Sequence, residues 1–349
     1  MALYGGRPTM DEHREMRNVK PQIIFATPGR LNDHLDKENF ESKTIQWLII
    51  DEFDKCLEMG FQQEMQEVVD KLPMVRRRIL LSATEADSIP KFINIGSNIC
   101  IDYRNNEDET SNRVQLHTVY STKRDKLETL SDLLKYLGDK SSIVFLNYRE
   151  SVIRTATYLQ EEGFSVSIFH GGLEQKEREA MLYRFSNGST NILVSTNLGA
   201  RGLDIPDVDN IIHYHFPENE DEYIHRVGRT ARWDKCGNIY FLLGPDEQLP
   251  NYVNQKVDIM KLPDVLPTIK PARMSTLYIG KGKKDKISKG DIVGFLCKKA
   301  GVERMDIGKI DVMPRFSYVA VSRTKISQIL KMTKGEKIKG ISTVVEEVK

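Results

Sequence analysis

The chain has 349 residues, of which 40% are hydrophobic, so it can bury ordinary cores in two or three domains of roughly 150 residues each. Its 51 Lys+Arg nearly balance its 50 Asp+Glu, yet residues 274–349 hold 17 basic against 8 acidic residues and the preceding part 34 against 42. A basic appendage on an acidic body points to a polyanion partner, with a solubilising tail as the bland alternative, while the lack of any apolar run near roughly 18 residues speaks against a membrane span.

In chain order, three short apolar runs open the sequence: 22–26, Trp47–Ile50 and 79–81. Each ends in a polar cluster, namely Thr27-Pro28-Gly29-Arg30, Asp51-Glu52-Phe53-Asp54 and Ser82-Ala83-Thr84. Near-continuous apolar runs separated by helix-length polar stretches predict buried parallel strands, whose carboxyl ends are where such sheets bind ligands. The acidic stretch 104–112 predicts a linker, which sets a first unit at 1–104. A second alternating unit spans 113–244, with strands expected at 143–146, 166–170, 192–195, 211–215 and 238–243. Between the first two of these, Val152, Ala156 and Leu159 recur at helical spacing and Gly163 closes the helix. Five prolines (245, 250, 263, 267 and 271) mark 245–273 as an extended connector with one short helix at most. In the tail, 274–349, strands are expected at 276–279, Ile307–Val312, 317–321 and 338–345, and helices at 289–299 and 325–332. That βαββαβ order is the ferredoxin-like arrangement of RNA-recognition domains. Cys56, Cys100, Cys236 and Cys297 stand singly, a spacing that suggests neither zinc nor disulfides and fits a reducing cytoplasm.

Asp51 and Glu52 end an apolar strand, and phosphoryl transfer needs one carboxylate for Mg²⁺ and a second group to orient water. A strand-end acidic turn is the plainer explanation of the same residues. In His225-Arg226-Val227-Gly228-Arg229-Thr230-Ala231-Arg232, Arg229 and Arg232 lie three apart on one side of a helical turn. Two guanidinium groups so placed can neutralise a polyphosphate, or they can pair with Glu218, Glu220, Asp221 and Glu222.

Taken in order, these elements resemble the DEAD-box family of ATP-dependent RNA helicases. The match runs through Gly5-Gly6, Thr27–Arg30, Asp51–Asp54 and Ser82-Ala83-Thr84. It continues through Val144-Phe145-Leu146-Asn147, His170-Gly171-Gly172 with Gln175 and Arg178, Ser195-Thr196, Ala200-Arg201-Gly202-Leu203-Asp204 and His225–Arg232. The resemblance implies an α/β fold with a partial first and a complete second RecA-like lobe, and ATP with Mg²⁺ as cofactors. Asp51 would bind Mg²⁺ through water and Glu52 would be the hydrolytic base. Arg229 and Arg232 would be arginine fingers, and Asp204 would touch the ribose. Asp54, Ser82, Thr84, Gln175 and His225 would couple the lobes. Gly5, Gly6, Thr27, Arg30, His170, Gly171 and Thr196 would hold the RNA backbone, contacts that position RNA without reading its sequence.

Three departures stand out. Phe53 replaces the family's alanine, and Asn197 replaces its usual aspartate. No glutamine motif or G-x-x-x-x-G-K-[ST] phosphate loop occurs, since no Gly-Lys pair here is followed by Ser or Thr. The expectation is a chain that starts inside the first lobe, leaving apolar strand edges uncovered, and that is inactive alone.

The tail, through 276–286, Ile307-Gly308-Lys309-Ile310, 318–321 and 337–340, is similar to the RNA-binding domain of the bacterial DbpA-like helicases. That implies structured large-subunit ribosomal RNA as partner, in a monomeric protein. Lys281, Lys283, Lys284 and Lys286 suggest a flexible cationic loop for phosphates. Phe316 and Tyr318 share a strand face; they either stack on bases or fill the core under the helices. The alternative function is an RNA-binding or annealing protein without ATPase activity, and a DNA helicase is a more distant rival.

Overall fold

In the computed structural model residues 1–5, 9–58, 60–82, 89–96, 98–102, 113–197, 208–230 and 236–348 are described, and the chain separates into two units, Met1–Asn105 and Asn106–Lys349. In the first, the apolar runs form short parallel pairs. Strand β1 (Ala2–Leu3) pairs with β2 (Phe25–Ala26), and β3 (Trp47–Ile50) with β4 (Arg77–Leu80), Trp47 opposite Arg77 and Ile50 opposite Leu80. Helices α1 (Thr9–Val19), α2 (Pro28–Asp36), α3 (Phe53–Glu58) and α4 (Gln62–Asp70) lie between them. Pro28 opens α2, where its missing N–H would have had no intrahelical partner.

Two small cores result. Leu35, Val68, Leu72 and Val75 pack with Leu48; Phe53, Met65 and Ile93 pack with Ile50 and Leu80. The inward side chains of β3 alternate with Trp47 and Ile49, which are 52% and 58% exposed, and the Arg77 guanidinium lies 4.8 Å over the Trp47 ring. The sequence predicted strands buried on both faces. They are buried on one, because the described helices α2 to α4 supply apolar partners to Leu48, Ile50 and Leu80 only.

The second unit holds a seven-stranded parallel sheet. In chain order its elements are β5 (Val114–Tyr120), α5 (Leu127–Leu137), β6 (Ser142–Leu146), α6 (Arg149–Glu161), β7 (Val166–Phe169), α7 (Gln175–Ser186), β8 (Ile192–Thr196), β9 (Asn210–His213), α8 (Glu220–Val227), β10 (Gly237–Leu243) and β11 (Asp258–Ile259). The spatial order is β11-β5-β10-β9-β6-β8-β7. Val144 and Leu146 meet α5 and α6 on one face, while Ile143 and Phe145 meet α7 and α8 on the other. Every residue of β6 and β8 is buried, as strands covered on both sides must be. The helix read from Val152, Ala156 and Leu159 is α6, and Gly163 follows it at φ 100°, a conformation that favours glycine.

The proline-rich connector is more than a tether. It contains no helix; instead β11 adds to the sheet edge beside β5, and Met260, Leu262 and Ile269 pack on the lobe's core. The Tyr252 hydroxyl donates to the Pro217 carbonyl at 2.6 Å.

The tail follows with β12 (Met274–Ile279), α9 (Lys289–Ala300), β13 (Ile307–Val312), β14 (Ser317–Ser322), α10 (Ile326–Met332), the small hairpin β15 (Lys337–Ile338) and β16 (Ile341–Ser342), and β17 (Val345–Glu347). Its antiparallel sheet runs β13-β14-β12-β17, with Leu277, Ile279, Val319 and Val321 turned toward Ile292, Leu296 and Ile329 of the helices. The strand expected over 338–345 is broken, because Lys339 and Gly340 both take positive φ, 52° and 77°, and turn the chain.

Candidate functional site

In the first unit, Asp51 stands exposed at the end of β3 and its carboxylate accepts the Glu52 N–H at 3.0 Å. Glu52 takes φ 48°, a left-handed conformation uncommon for a non-glycine residue and found at functional turns. Phe53 is 1% exposed in the core with Met65 and Ile93, so its ring points away from the strand-end acids. Asp54 is buried in the first turn of α3, and Ser82 is exposed just after β4.

Thr27 caps α2 without a side-chain bond and is exposed, at a helix N-terminus suited to a phosphate. Arg30, expected on RNA, has partners within the protein. It donates to the Tyr4 carbonyl (3.4 Å) and to Thr9 Oγ1 (2.9 Å), and pairs with buried Glu12 at 3.2 Å. It therefore holds the turn carrying Gly5 against α1. Beside it, His13 pairs with Asp33 at 2.9 Å, and burial, reinforced by His13, lowers the pKa of His34.

In the second unit the ends of three strands converge on Arg226, which the sequence did not single out. Its guanidinium donates to Asn147 Oδ1 (2.9 Å), the His215 carbonyl (2.7 Å) and Asn197 Oδ1, and lies 5.0 Å over the Phe145 ring. Burial, then Arg226 itself, holds His213 well below the usual imidazole range. Arg226 thus anchors α8, the helix carrying His225 and leading to Arg229, to the carboxyl ends of β6, β8 and β9. Arg229 is buried and only 8% exposed. His170 is buried as well; its Nδ1 accepts the Gly172 N–H at 3.2 Å, and burial followed by Arg149 and Arg178 lowers its pKa. It shapes the turn whose Gly171 carbonyl accepts from Arg178 at 2.6 Å. Gln175 donates to Glu179, and Thr196 is buried at the end of β8. Gly6, Thr84, Asp204 and Arg232 lie outside the described residues.

In the tail, Lys283, Lys284 and Lys286 are exposed, whereas Lys281 is half-buried and paired with Asp285 at 3.4 Å. The loop expected to be flexible is fixed: the N–H groups of Lys283 and Lys284 donate to the carbonyls of Met313 (2.9 Å) and Pro314 (2.8 Å). Gly282 is required there, since a Cβ would stand 2.2 Å from the Met313 carbonyl oxygen.

The aromatic pair meets neither expectation in full. Tyr318 is 4% exposed, yet the core under the helices is filled by Val319 and Val321. Its ring is instead covered by Tyr183 of α7, with centroids 4.8 Å apart. The Tyr183 hydroxyl shares its one proton between the carbonyls of Lys309 (3.1 Å) and Tyr318 (3.0 Å), Asn187 donates to Thr276, and Thr276 to Ser189, both at 2.8 Å. Arg323 reaches the carbonyls of Ala272, Ser189 and Met274. The sheet face opposite the tail's helices is thus docked on the lobe, which withdraws Tyr318 from stacking. Phe316 stays half-buried at its margin, 5.5 Å from Tyr278.

Three family profiles match the chain: "DEAD/DEAH box helicase" over residues 1–92, "Helicase conserved C-terminal domain" over 125–234 and "DbpA RNA binding domain" over 276–347. The Escherichia coli ATP-dependent RNA helicase DbpA is 33% identical over 346 residues, 97% of this chain and 76% of that protein. The chain belongs to the DEAD-box RNA helicases. A Scheffersomyces stipitis relative, the ATP-dependent rRNA helicase RRP3, is 32% identical over 80% of this chain and 58% of its own length. The solved structure of Mss116p bound to ssRNA and AMP-PNP superposes with a TM-score of 0.63 at 27% identity, covering 75% of this chain and 57% of that one.

Within the DEAD-box frame both single-residue departures have a structural account. Phe53 fills a core pocket, and Asn197 keeps its bond to Arg226 with a neutral carbonyl in place of a carboxylate. The Asp51 and Glu52 carboxylates suit Mg²⁺, which is held through one or two such groups and water. Bound there, Mg²⁺ would supply neutralising charge to phosphoryl oxygens. A glycine-rich cradle of N–H groups for the phosphates is not part of this sequence.

Proposed function

We propose that the chain binds structured RNA, ribosomal RNA in large-subunit assembly above all, through residues 274–349, and that these 349 residues do not turn over ATP by themselves. The observation that carries the RNA reading is the lysine turn at 283–286, held rigid by backbone bonds on a tail docked to the helicase lobe. A fixed backbone leaves less freedom to lose on meeting phosphates than a mobile loop does. The name of the fungal relative supports a ribosomal target. The ATPase reading follows from the missing phosphate loop, whose N–H groups and lysine bind the phosphates in P-loop enzymes.

Together with a phosphate loop, Asp51 would hold Mg²⁺ through water, Glu52 would orient the attacking water, and Arg229 and Arg232 would neutralise the developing charge. Asp204 would contact the ribose, while Asp54, Ser82, Thr84, Gln175 and His225 would couple nucleotide to RNA. Gly5, Gly6, Thr27, Arg30, His170, Gly171 and Thr196 would hold the RNA backbone.

The test is RNA binding and ATP turnover of residues 1–349 on ribosomal RNA hairpins, with duplex DNA as competitor. Tight, salt-sensitive RNA binding without turnover above background is expected. Turnover that Glu52→Gln abolishes would overturn the inactivity, and preference for DNA would overturn the RNA reading.

A further inference from the structure

Away from the strand-end acids, helices α1 and α2 of the first unit meet through a cluster of titratable side chains that the nucleotide and RNA chemistry leaves unused. His13 of α1 and Asp33 and His34 of α2 each offer one donor atom, and these atoms all lie within 4.8 Å of one another. His13 Nε2 stands 2.9 Å from Asp33 Oδ2. His34 is 0% exposed, and the buried Glu12 carboxylate lies 3.7 Å from its Nε2 and 3.2 Å from Arg30 Nε.

We propose that this cluster binds one transition-metal ion of the zinc class, ligated by His13, Asp33 and His34, with the Glu12 carboxylate beside it balancing charge.

The first support is a deficit. Buried polar groups ordinarily have hydrogen-bond partners. Among the described residues, neither His34 Nε2 nor either Glu12 oxygen has one, and Glu12 meets Arg30 only as an ion pair. A cation among them occupies the imidazole nitrogen and gives the carboxylate a second positive neighbour.

The reach also fits. Zinc bonds of about 2.0–2.2 Å set tetrahedral ligand atoms about 3.4 Å apart, so the widest pair of donors closes by at most about 1.4 Å. Two imidazoles with a carboxylate suit zinc, whereas Mg²⁺ takes oxygen ligands and keeps its waters. The site therefore differs in kind from Asp51 and Glu52. Burial, reinforced by His13, lowers the pKa of His34, which keeps the ring in the neutral form that ligates metals.

An outer partner is in place as well. Asn39 is buried, with Nδ2 3.3 Å from His34 Nδ1 and Oδ1 accepting from Arg17 Nε at 3.1 Å. With the ion on His34 Nε2, the ring proton sits on Nδ1. The Asn39 amide then turns over so that Oδ1 accepts it, as the second N–H of a ligating histidine requires. The bond given up is to Arg17, which is exposed. The bound ion clamps α1 to α2, the helices that follow the turns carrying Gly5 and Thr27.

The test uses the full chain, stripped by a chelator and titrated with Zn²⁺ in a calorimeter. One ion per chain at micromolar affinity or tighter is expected, with Mg²⁺ unable to compete. Asp33→Asn and His13→Gln should each weaken binding about 100-fold or more, since even outer-partner changes cost about 10–100-fold. Asn39→Asp should tighten it about tenfold, because a carboxylate accepts the Nδ1 proton more strongly. Cys100→Ser with Cys236→Ser, at the two exposed cysteines, should leave it unchanged. Zinc-edge X-ray absorption of the wild type needs no variant to fold, and should show nitrogen and oxygen neighbours at about 2.0–2.2 Å with imidazole scattering. Sulfur at about 2.3 Å would place the ion on a cysteine and overturn the proposal. Absence of stoichiometric Zn²⁺ binding, displacement by Mg²⁺, or wild-type affinity in Asp33→Asn and His13→Gln chains with native circular dichroism would overturn it too.

Discussion

Replacing Tyr183 by Phe deletes one hydroxyl and leaves the ring that covers Tyr318. That hydroxyl shares its single proton between two backbone carbonyls of the tail, Lys309 at 3.1 Å and Tyr318 at 3.0 Å. A bond of this kind contributes about 0.5–1.5 kcal/mol net, so the hydroxyl stabilises the docked tail by about 1 kcal/mol. The ring–ring contact at 4.8 Å survives the change, as does the Asn187–Thr276–Ser189 relay. Urea unfolding followed by circular dichroism should show a lower midpoint with an unchanged slope, and amide exchange should quicken around Thr276 and Tyr318. Burial, with Asp311 adding to it, raises the Tyr183 pKa above its ordinary value near 10. A raised acid contributes stability below the unfolded pKa and loses it as pH climbs beyond, since a phenolate cannot donate. The wild-type advantage over Tyr183→Phe should therefore hold at neutral pH and shrink above about pH 10. Equal midpoints for the two proteins at pH 7 would show that the hydroxyl contributes nothing, and the account of the joint would fail.

Phe53→Ala restores the family's alanine yet should destabilise the chain by about 3–5 kcal/mol, because the ring fills the core with Met65 and Ile93; a neutral urea midpoint would contradict its assignment to the core. Asn197→Asp should stabilise by about 1 kcal/mol, since a charge-assisted bond to Arg226 is roughly twice as strong as a neutral one. A thermal melt that moves downward would mean that desolvating the new carboxylate outweighs the gain. Asp291 is held down to about 2 by Ser288 and then by Lys339. A depressed carboxylate stabilises above its unfolded pKa of 3.8 and ceases to as pH falls through about 2. Exchange at the start of α9 should accelerate between those values, and Asp291→Asn should show the faster rate already at pH 7.

The parallel strands, α6 and the order of the tail were legible because each rests on local pattern: apolar runs, helical spacing closed by Gly163, and strand alternation. Alternation also placed Phe316 and Tyr318 on one face. What covers that face was not legible. Tyr183, Asn187 and Ser189 lie far in sequence from Thr276 and Arg323, with Thr276 87 positions after Ser189, and periodicity separates apolar from polar faces without showing which polar face docks on another. Arg226 was hidden for a related reason. A lone arginine in a charged helix reads as solvated, and only the fold brings Asn147, Asn197 and the His215 carbonyl around it. The β11 strand was masked by the prolines of the connector on either side of it, none of which falls within Asp258–Ile259. The exposed face of β3 was misread because an apolar run alone does not tell whether one or both sides are covered.

The chemistry of the joint explains how a small tail can be held in one orientation. An apolar patch tolerates sliding, since hydrophobic contact is non-directional. Here the contact is made of Tyr183, Asn187, Ser189, Thr276 and Arg323, with Thr276 accepting from Asn187 while donating to Ser189. A slip of one residue along β12 would turn Thr276 to the other face and bring Leu277 from the core into its place. The buried Asn187 donor just after α7 would then lose its partner, at a cost of about 1–3 kcal/mol for the unsatisfied group. The arrangement thus penalises misregistration more than separation, so the tail leaves as a unit or stays in one pose. A cationic turn carried by such a tail keeps a fixed position relative to β6, β8 and the Arg226 cluster, so an RNA proposed to bind Lys283 and Lys284 would meet the lobe at a defined angle.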